Sequence, residues 1–252
     1  MTLSPELQSQ QAIYNEIIRR ENGYPYATAR WSIRALRNYF TALPNGACVF
    51  EIGANTGDSA AVLSNEVPEK QFIYTGVDIS EEAIHLATLK QLADAQFVVG
   101  DGFSDELPPD VLERRSQADL IFSIYVGPSV GLRDLIQWMV SFGRPYVVLD
   151  RVYTADQPGA IPFNQMVTAI MGLIQYFRHE NIPFPFYGFM KQATTKTIYA
   201  DPDYQKDFEL YARHAPGTLA EFNQWLLESF SEKEARIVAS FGHDAVIISG
   251  NL

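Results

Sequence analysis

The segment Val49-Phe50-Glu51-Ile52-Gly53-Ala54-Asn55-Thr56-Gly57-Asp58 constrains this chain more than any other. A short apolar strand runs into two glycines separated by three residues, and a helix-compatible stretch follows. Glycine has no Cβ, so it tolerates positive φ and lets the backbone turn sharply or come close to a ligand. A turn of this kind between a strand and a helix is where an α/β sheet holds a small cofactor.

The runs that follow at strand-to-strand spacing define the rest of the crevice. Phe72-Ile73-Tyr74-Thr75-Gly76-Val77 ends in Asp78, about twenty residues past the turn, where an open α/β sheet places the acid that grips a ribose. Gln96-Phe97-Val98-Val99-Gly100 leads into Asp101-Gly102-Phe103, and Asp119 opens the run Leu120-Ile121-Phe122-Ser123-Ile124-Tyr125. Near-continuous apolar runs separated by helical patterns are how strands buried on both faces of a parallel sheet read. Asp78-Ile79-Ser80-Glu81-Glu82 also reads as a helix start, with Ser80 as N-cap and carboxylates in the first turn. The two readings are compatible, since Ser80 can cap while Asp78 binds.

With these pieces in order, the chain resembles the class I S-adenosylmethionine-dependent methyltransferases. The resemblance rests on Glu51-Ile52-Gly53-Ala54-Asn55-Thr56-Gly57, Gly76-Val77-Asp78-Ile79-Ser80, Gly100-Asp101-Gly102-Phe103 and Ala118-Asp119-Leu120-Ile121-Phe122-Ser123. It implies a Rossmann-like, seven-stranded, mostly parallel sheet with an antiparallel last strand, and S-adenosylmethionine as cofactor. Gly53, Ala54, Asn55 and Gly57 would form the loop beside the methionine moiety, and Glu51 would sit beneath that loop and help orient the sulfonium end. Asp78 would accept from both ribose hydroxyls and Ile79 would lie against the adenine. Asp101, with Gly102 and Phe103 beside it, would accept from the exocyclic amine, and Ser123 would complete the cofactor side. Asn55 stands where many members have a middle glycine.

Composition narrows the partners. A hydrophobic fraction of 47% over 252 residues supports a real core. A net charge of -11 repels polyanions, so nucleic acid is not an expected partner. Arg19, Arg20, Arg30, Arg34 and Arg37, interleaved with Trp31, Leu36, Tyr39 and Phe40, read as the solvated face of amphipathic helices, with an anion or substrate site as the alternative. Cys48 is alone, so no internal disulfide forms, and it reads as a small buried residue. The N-terminus lacks a signal-peptide pattern and no run is long enough to span a bilayer, which makes the cytoplasm the expected compartment. No Cys/His cluster or dense carboxylate set has ligand spacing, and no metal is expected.

The chain divides into an N-terminal helical cap, 1–46; a core, 47–150, closing with Pro145-Tyr146-Val147-Val148-Leu149-Asp150; an aromatic-rich insertion, 151–231; and a terminal hairpin, 232–252. In the hairpin, residues 235–241 and 245–250 flank Gly242-His243-Asp244. Within the insertion, Asn164 to His179 and Thr218 to Phe230 read as helices. The loop Ile182-Pro183-Phe184-Pro185-Phe186-Tyr187-Gly188-Phe189 cannot be helical, yet its aromatic side chains need an apolar partner. Phe184, Phe186 and Tyr187, with Tyr14, Tyr24 or Tyr26 from the cap, are therefore candidates to line an acceptor pocket.

The expected activity is methyl transfer to an oxygen or nitrogen of a small molecule. A phenol or hydroxyl acceptor needs a base, whereas a neutral amine does not. Tyr125, at the end of the fourth strand, is the candidate catalytic side chain; His85, His179, His214 and His243 fall in no catalytic constellation. Two other readings stay open: a nicotinamide-dependent oxidoreductase, for which Gly53-x3-Gly57 is a loose match, and a protein methyltransferase or catalytically idle binding module.

Overall fold

The structure, a computed structural model, describes Gln8, Gln11, Ala12, Asn15 and residues 26–126, 130–150, 219–241 and 245–252. Helix α1, Tyr26–Ala42, opens the continuous part of the fold. Its apolar residues Ala29, Ile33, Leu36 and Phe40 recur every three or four positions and are all buried. Strands β1 (Ala47–Ile52), β2 (Phe72–Asp78), β3 (Ala95–Val99), β4 (Leu120–Ile124) and β5 (Tyr146–Asp150) then alternate with α2 (Asp58–Glu66), α3 (Glu81–Leu89), α4 (Pro109–Gln117) and α5 (Leu132–Ser141). Helix α6 (Leu219–Ser229) precedes β6 (Arg236–Phe241) and β7 (Ala245–Gly250).

These strands form one seven-stranded sheet in the order β3-β2-β1-β4-β5-β7-β6. The first five pair in parallel, β7 inserts antiparallel beside β5, and β6 pairs antiparallel with β7. The expected hairpin is therefore present, with a register shift between Ile237 and Ala239. Chain order reverses between β1 and β4: β2 and β3 lie on one side of β1, β4 and β5 on the other. An open parallel sheet binds its ligands beyond the carboxyl ends of the strands at such a reversal.

Strand alternation sends successive side chains to opposite faces, and each face has its own core. Val49, Leu120, Phe122, Val147 and Leu149 pack with α1 and α2, whereas Phe50, Ile121 and Val148 pack with α4, α5 and α6, where Phe222 and Leu226 are buried. Asp119, which opens the fourth run, accepts the Cys48 N–H through Oδ2 at 2.8 Å and so joins the entry of β4 to β1. Cys48 itself is half-buried, less enclosed than its apolar neighbours suggest. No described helix is long and apolar enough to cross a membrane.

The arginines of α1 lie on a partly exposed face and pair with Glu66 and Glu69. Arg30 and Arg34 donate through Nε to the two carboxylate oxygens of Glu66, at 2.7 and 2.9 Å. Arg37 reaches the Glu66 carbonyl at 3.1 Å and the Glu69 carboxylate at 3.4 Å. The basic face of α1 thus meets the carbonyl-rich end of α2, where positive charge is favoured. Arg19 and Arg20 lie outside the described residues.

Burial raises the Glu66 pKa, but the hydrogen bonds and charges of Arg34 and Arg30 outweigh it and the net shift is downward. An acid lowered in the folded state stabilises above its unfolded pKa and loses that stabilisation as pH falls through its folded value. Glu66→Gln is expected to cost about 1 kcal/mol at pH 7, because the arginines are partly exposed. In urea unfolding, the gap between wild type and variant should close as pH drops below about 4.

Candidate functional site

The loops that leave β1, β2 and β3 at their carboxyl ends are tied together by short hydrogen bonds. Gly53 N–H donates to the Val77 carbonyl at 2.8 Å and Ala54 N–H to the same oxygen at 3.1 Å. Asn55 N–H donates to Asp78 Oδ2 at 2.8 Å. Gly100 N–H donates to the Asp78 carbonyl at 2.8 Å, and Gly102 lies against Ile52 at the end of β1. Gly53, Asp78 and Asp101 therefore belong to one contiguous rim.

The glycine loop is left-handed at three points: Gly53 at φ 80, Asn55 at φ 47 and Gly57 at φ 73. Asparagine is among the few residues besides glycine that accept this region, which explains how Asn55 replaces a glycine there. Sterics add a second demand. A Cβ at Gly53 would fall 2.2 Å from Val126 Cγ2, and one at Gly57 would fall 2.9 Å from the Phe97 ring and 3.0 Å from the Ala87 Cβ. The close neighbours of these two glycines in the structure are thus protein side chains.

Asp78 sits half-buried at the end of β2. Its Oδ2 accepts Asn55 N–H and its Oδ1 accepts Ser80 N–H, each at 2.8 Å. Burial pushes its pKa up, and the two backbone donors partly oppose the shift. A carboxylate has about four lone-pair sites, so each oxygen keeps one for a further donor. Ser80 also acts as the expected N-cap of α3, accepting Ala83 N–H through Oγ at 3.1 Å.

Glu51 lies beneath the glycine loop. Strand alternation turns it to the α1–α2 face, where it is 1% exposed and accepts the Tyr74 hydroxyl, with Ser59 of α2 as a second partner. Burial raises its pKa to about 8, and the nearby charges of Asp78 and Asp58 push the same way. Asp58 is itself paired with Lys90 and accepts the Thr56 hydroxyl at 2.8 Å.

On the third loop, Asp101 Oδ1 accepts Phe103 N–H at 3.0 Å, and the Phe103 ring stacks on Trp138 of α5, 4.3 Å between centroids. Ser123 is fully buried in β4, and its Oγ has no partner among the described residues. Tyr125 adopts φ 58 just past β4, donates its N–H to the Leu149 carbonyl at 2.9 Å, and packs beside the α1–α2 core. Val126 is the residue beyond β4 that lies against Gly53.

No protein-family model and no curated protein matches the sequence. Solved structures do. The plantazolicin methyltransferase BpumL, in complex with a triazolic desmethylPZN analog and SAH, is 17% identical; the match covers 96% of this chain and 90% of that one at a TM-score of 0.50. A geranyl diphosphate methyltransferase in complex with GPP and sinefungin is 10% identical; the match covers 99% and 100% of the two chains at a TM-score of 0.52. The chain has the Rossmann-like methyltransferase fold.

Within this methyltransferase fold, the acceptor-pocket candidates Tyr14, Tyr24, Phe184, Phe186 and Tyr187 lie outside the described residues, and of Tyr26 only its place at the start of α1 is described. The N-terminal segment nonetheless reaches the site. Gln11 Nε2 donates to the Ile79 carbonyl at 2.6 Å, and Asn15 Oδ1 accepts the Ser80 hydroxyl at 2.7 Å. Neither contact was legible in the sequence, because each joins residues more than sixty positions apart. Tyr74 and Ser59 were equally hidden; alternation within β1 and β2 was the one available signal that Glu51 and Tyr74 share a face.

Because Glu51 binds its proton up to about pH 8 when folded and loses it near 4.5 when unfolded, the native state holds the extra proton between those values. Stability should therefore fall as pH rises from 5 to 8, by up to about 1.4 kcal/mol per unit. Glu51→Gln keeps an acceptor for Tyr74 without the charge. Its urea-derived stability is expected to lose that slope and to exceed wild type at pH 8.

Proposed function

We propose that this chain is an S-adenosylmethionine-dependent methyltransferase that methylates an oxygen or nitrogen of a small molecule and releases S-adenosylhomocysteine. The observation that carries this reading is the Asp78 carboxylate, fixed at the end of β2, beside the strand from which chain order reverses, by two backbone N–H groups with acceptor capacity to spare. A ribose diol supplies two donors, and a carboxylate held in one orientation accepts both. The spare acceptors of Asp78 therefore suit a nucleoside. The complexes of the two structural neighbours, one with SAH and one with sinefungin, point the same way.

In this reading the loop Gly53, Ala54, Asn55 and Gly57 holds the methionine moiety and Asp78 the ribose. Ile79 lies against the adenine, and Asp101, with Gly102 and Phe103, meets its exocyclic amine. The buried Ser123 hydroxyl completes the set with an unused hydrogen-bonding group. Glu51 acts from beneath: it holds β1, β2 and α2 in register, and its protonation keeps a third negative charge out of the loop. When bound, S-adenosylmethionine supplies an electrophilic methyl on a sulfonium, open to in-line attack. The chain's part is to align the acceptor and keep water away, which supplies much of the rate in a two-substrate transfer. Tyr125 is the candidate catalytic side chain, assigned to hydrogen-bond the acceptor's nucleophilic group, and the aromatic candidates of the cap and the 182–189 segment are assigned to the acceptor pocket.

The nicotinamide reading loses support from topology. The dinucleotide fold continues as parallel strands in the order 3-2-1-4-5-6, whereas here an antiparallel β7 stands between β5 and β6. Calorimetry on the full chain is the direct test. Wild type should bind S-adenosylmethionine and ignore NADH, and Asp78→Ala should weaken S-adenosylmethionine at least about tenfold, the cost of one charged hydrogen-bonding partner. A folded Asp78→Ala variant with undiminished affinity would remove the assignment. Acceptor-dependent formation of S-adenosylhomocysteine separates an enzyme from a binding module.

A further inference from the structure

Arg115 is a charged residue inside the fold that the nucleoside reading does not use. In sequence it belongs to Glu113-Arg114-Arg115, a polar helix end with no special mark. In the structure it occupies the last turn of α4 and is only 7% exposed. A guanidinium this enclosed is costly unless its donors are satisfied. Nη1 donates to the Gly102 carbonyl at 2.9 Å and to the Ser104 carbonyl at 3.0 Å, and Nη2 donates to Asp105 at 2.8 Å. Its central carbon lies 4.6 Å from the centre of the Phe142 ring.

These contacts converge on the loop after β3. That loop is already closed on itself, since Asp101 accepts Phe103 N–H through its side chain and Ser104 N–H through its carbonyl, both at 3.0 Å. Arg115 grips the carbonyls on either side of Phe103, while Ile52 lies directly against Gly102, so that a Cβ there would fall 2.8 Å from Ile52 Cγ2. The Asp101 carboxylate thus takes its orientation from a turn clamped from one side by a guanidinium and backed by β1 on the other. The Asp105 ion pair adds little, because that carboxylate is 95% exposed. The two carbonyl bonds and the ring contact remain. Both carbonyls are served by Nη1, so a lysine ammonium could reach them, but it has no delocalised planar cation to set against the Phe142 ring at the same time.

We propose that Arg115 is a positioning residue that sets the loop carrying Asp101 and thereby the preference for a nucleoside with an exocyclic amine. The inference rests on the cofactor reading above. Arg115 touches no ligand in it; its effect passes through the backbone of Gly102 and Ser104.

The test uses the full chain, calorimetry and two probes: S-adenosylhomocysteine, and S-inosylhomocysteine, in which a carbonyl replaces the adenine amine. Wild type is expected to prefer the adenosyl compound by at least about tenfold. In Arg115→Lys that preference should shrink to about threefold or less, while the affinity for S-inosylhomocysteine, carried by Asp78 and the glycine loop, changes little. Phe142→Leu keeps apolar volume and removes the ring face; it is expected to lose part of the same preference and serves if Arg115→Lys does not fold. An unchanged preference in the folded variant, an equal loss for both probes, or a wild type that binds both alike would overturn the role of Arg115. A wild type that binds neither probe would instead overturn the cofactor reading, and this inference with it.

Discussion

The Asp78 carboxylate is the joint on which the site depends. It accepts one backbone N–H from the glycine loop after β1 and one from the start of α3. These bonds fix the two loops relative to each other before any ligand arrives. A carboxylate held by two backbone donors in a half-buried place is rigid, and rigidity lowers the ordering cost of binding. The main chain supports the same joint from below, since the Val77 carbonyl accepts from Gly53 and Ala54 and the Asp78 carbonyl accepts from Gly100.

Gathering carboxylates at one end of a sheet has an electrostatic cost, and the structure meets it in three ways. Asp58 is paired with Lys90. Asp78 is stabilised by backbone donors. Glu51, sealed beneath the loop with Tyr74 and Ser59, has its pKa raised to about 8 and is mostly neutral near pH 7. A buried acid that keeps its proton adds hydrogen bonding without adding repulsion. The same arrangement binds β1, β2 and α2 together directly under the loop.

Much of the site was legible because it depends on local chemistry. Gly53 and Gly57 stand where the backbone is left-handed, and Asn55 is the side chain best able to replace glycine at such a point. Asp78 and Asp101 follow apolar runs that became β2 and β3, and Ser80 announced a cap that the structure contains. The hairpin of β6 and β7 was equally plain from its two apolar runs and short connection. The arginines of α1 were harder to read, because their partner Glu66 lies about thirty residues away on α2. Arg115 was illegible for a different reason: the backbone carbonyls it serves carry no side-chain signature.

The sequence by itself determined where strands end in glycine or acid, because turn chemistry, capping and apolar periodicity act over a few residues. Tertiary structure alone decided which acid is neutral, which arginine is enclosed, and that Gln11 and Asn15 reach Ile79 and Ser80. Burial, local charge and hydrogen-bond partnership are properties of neighbours in space. The order β3-β2-β1-β4-β5-β7-β6 is what chooses those neighbours.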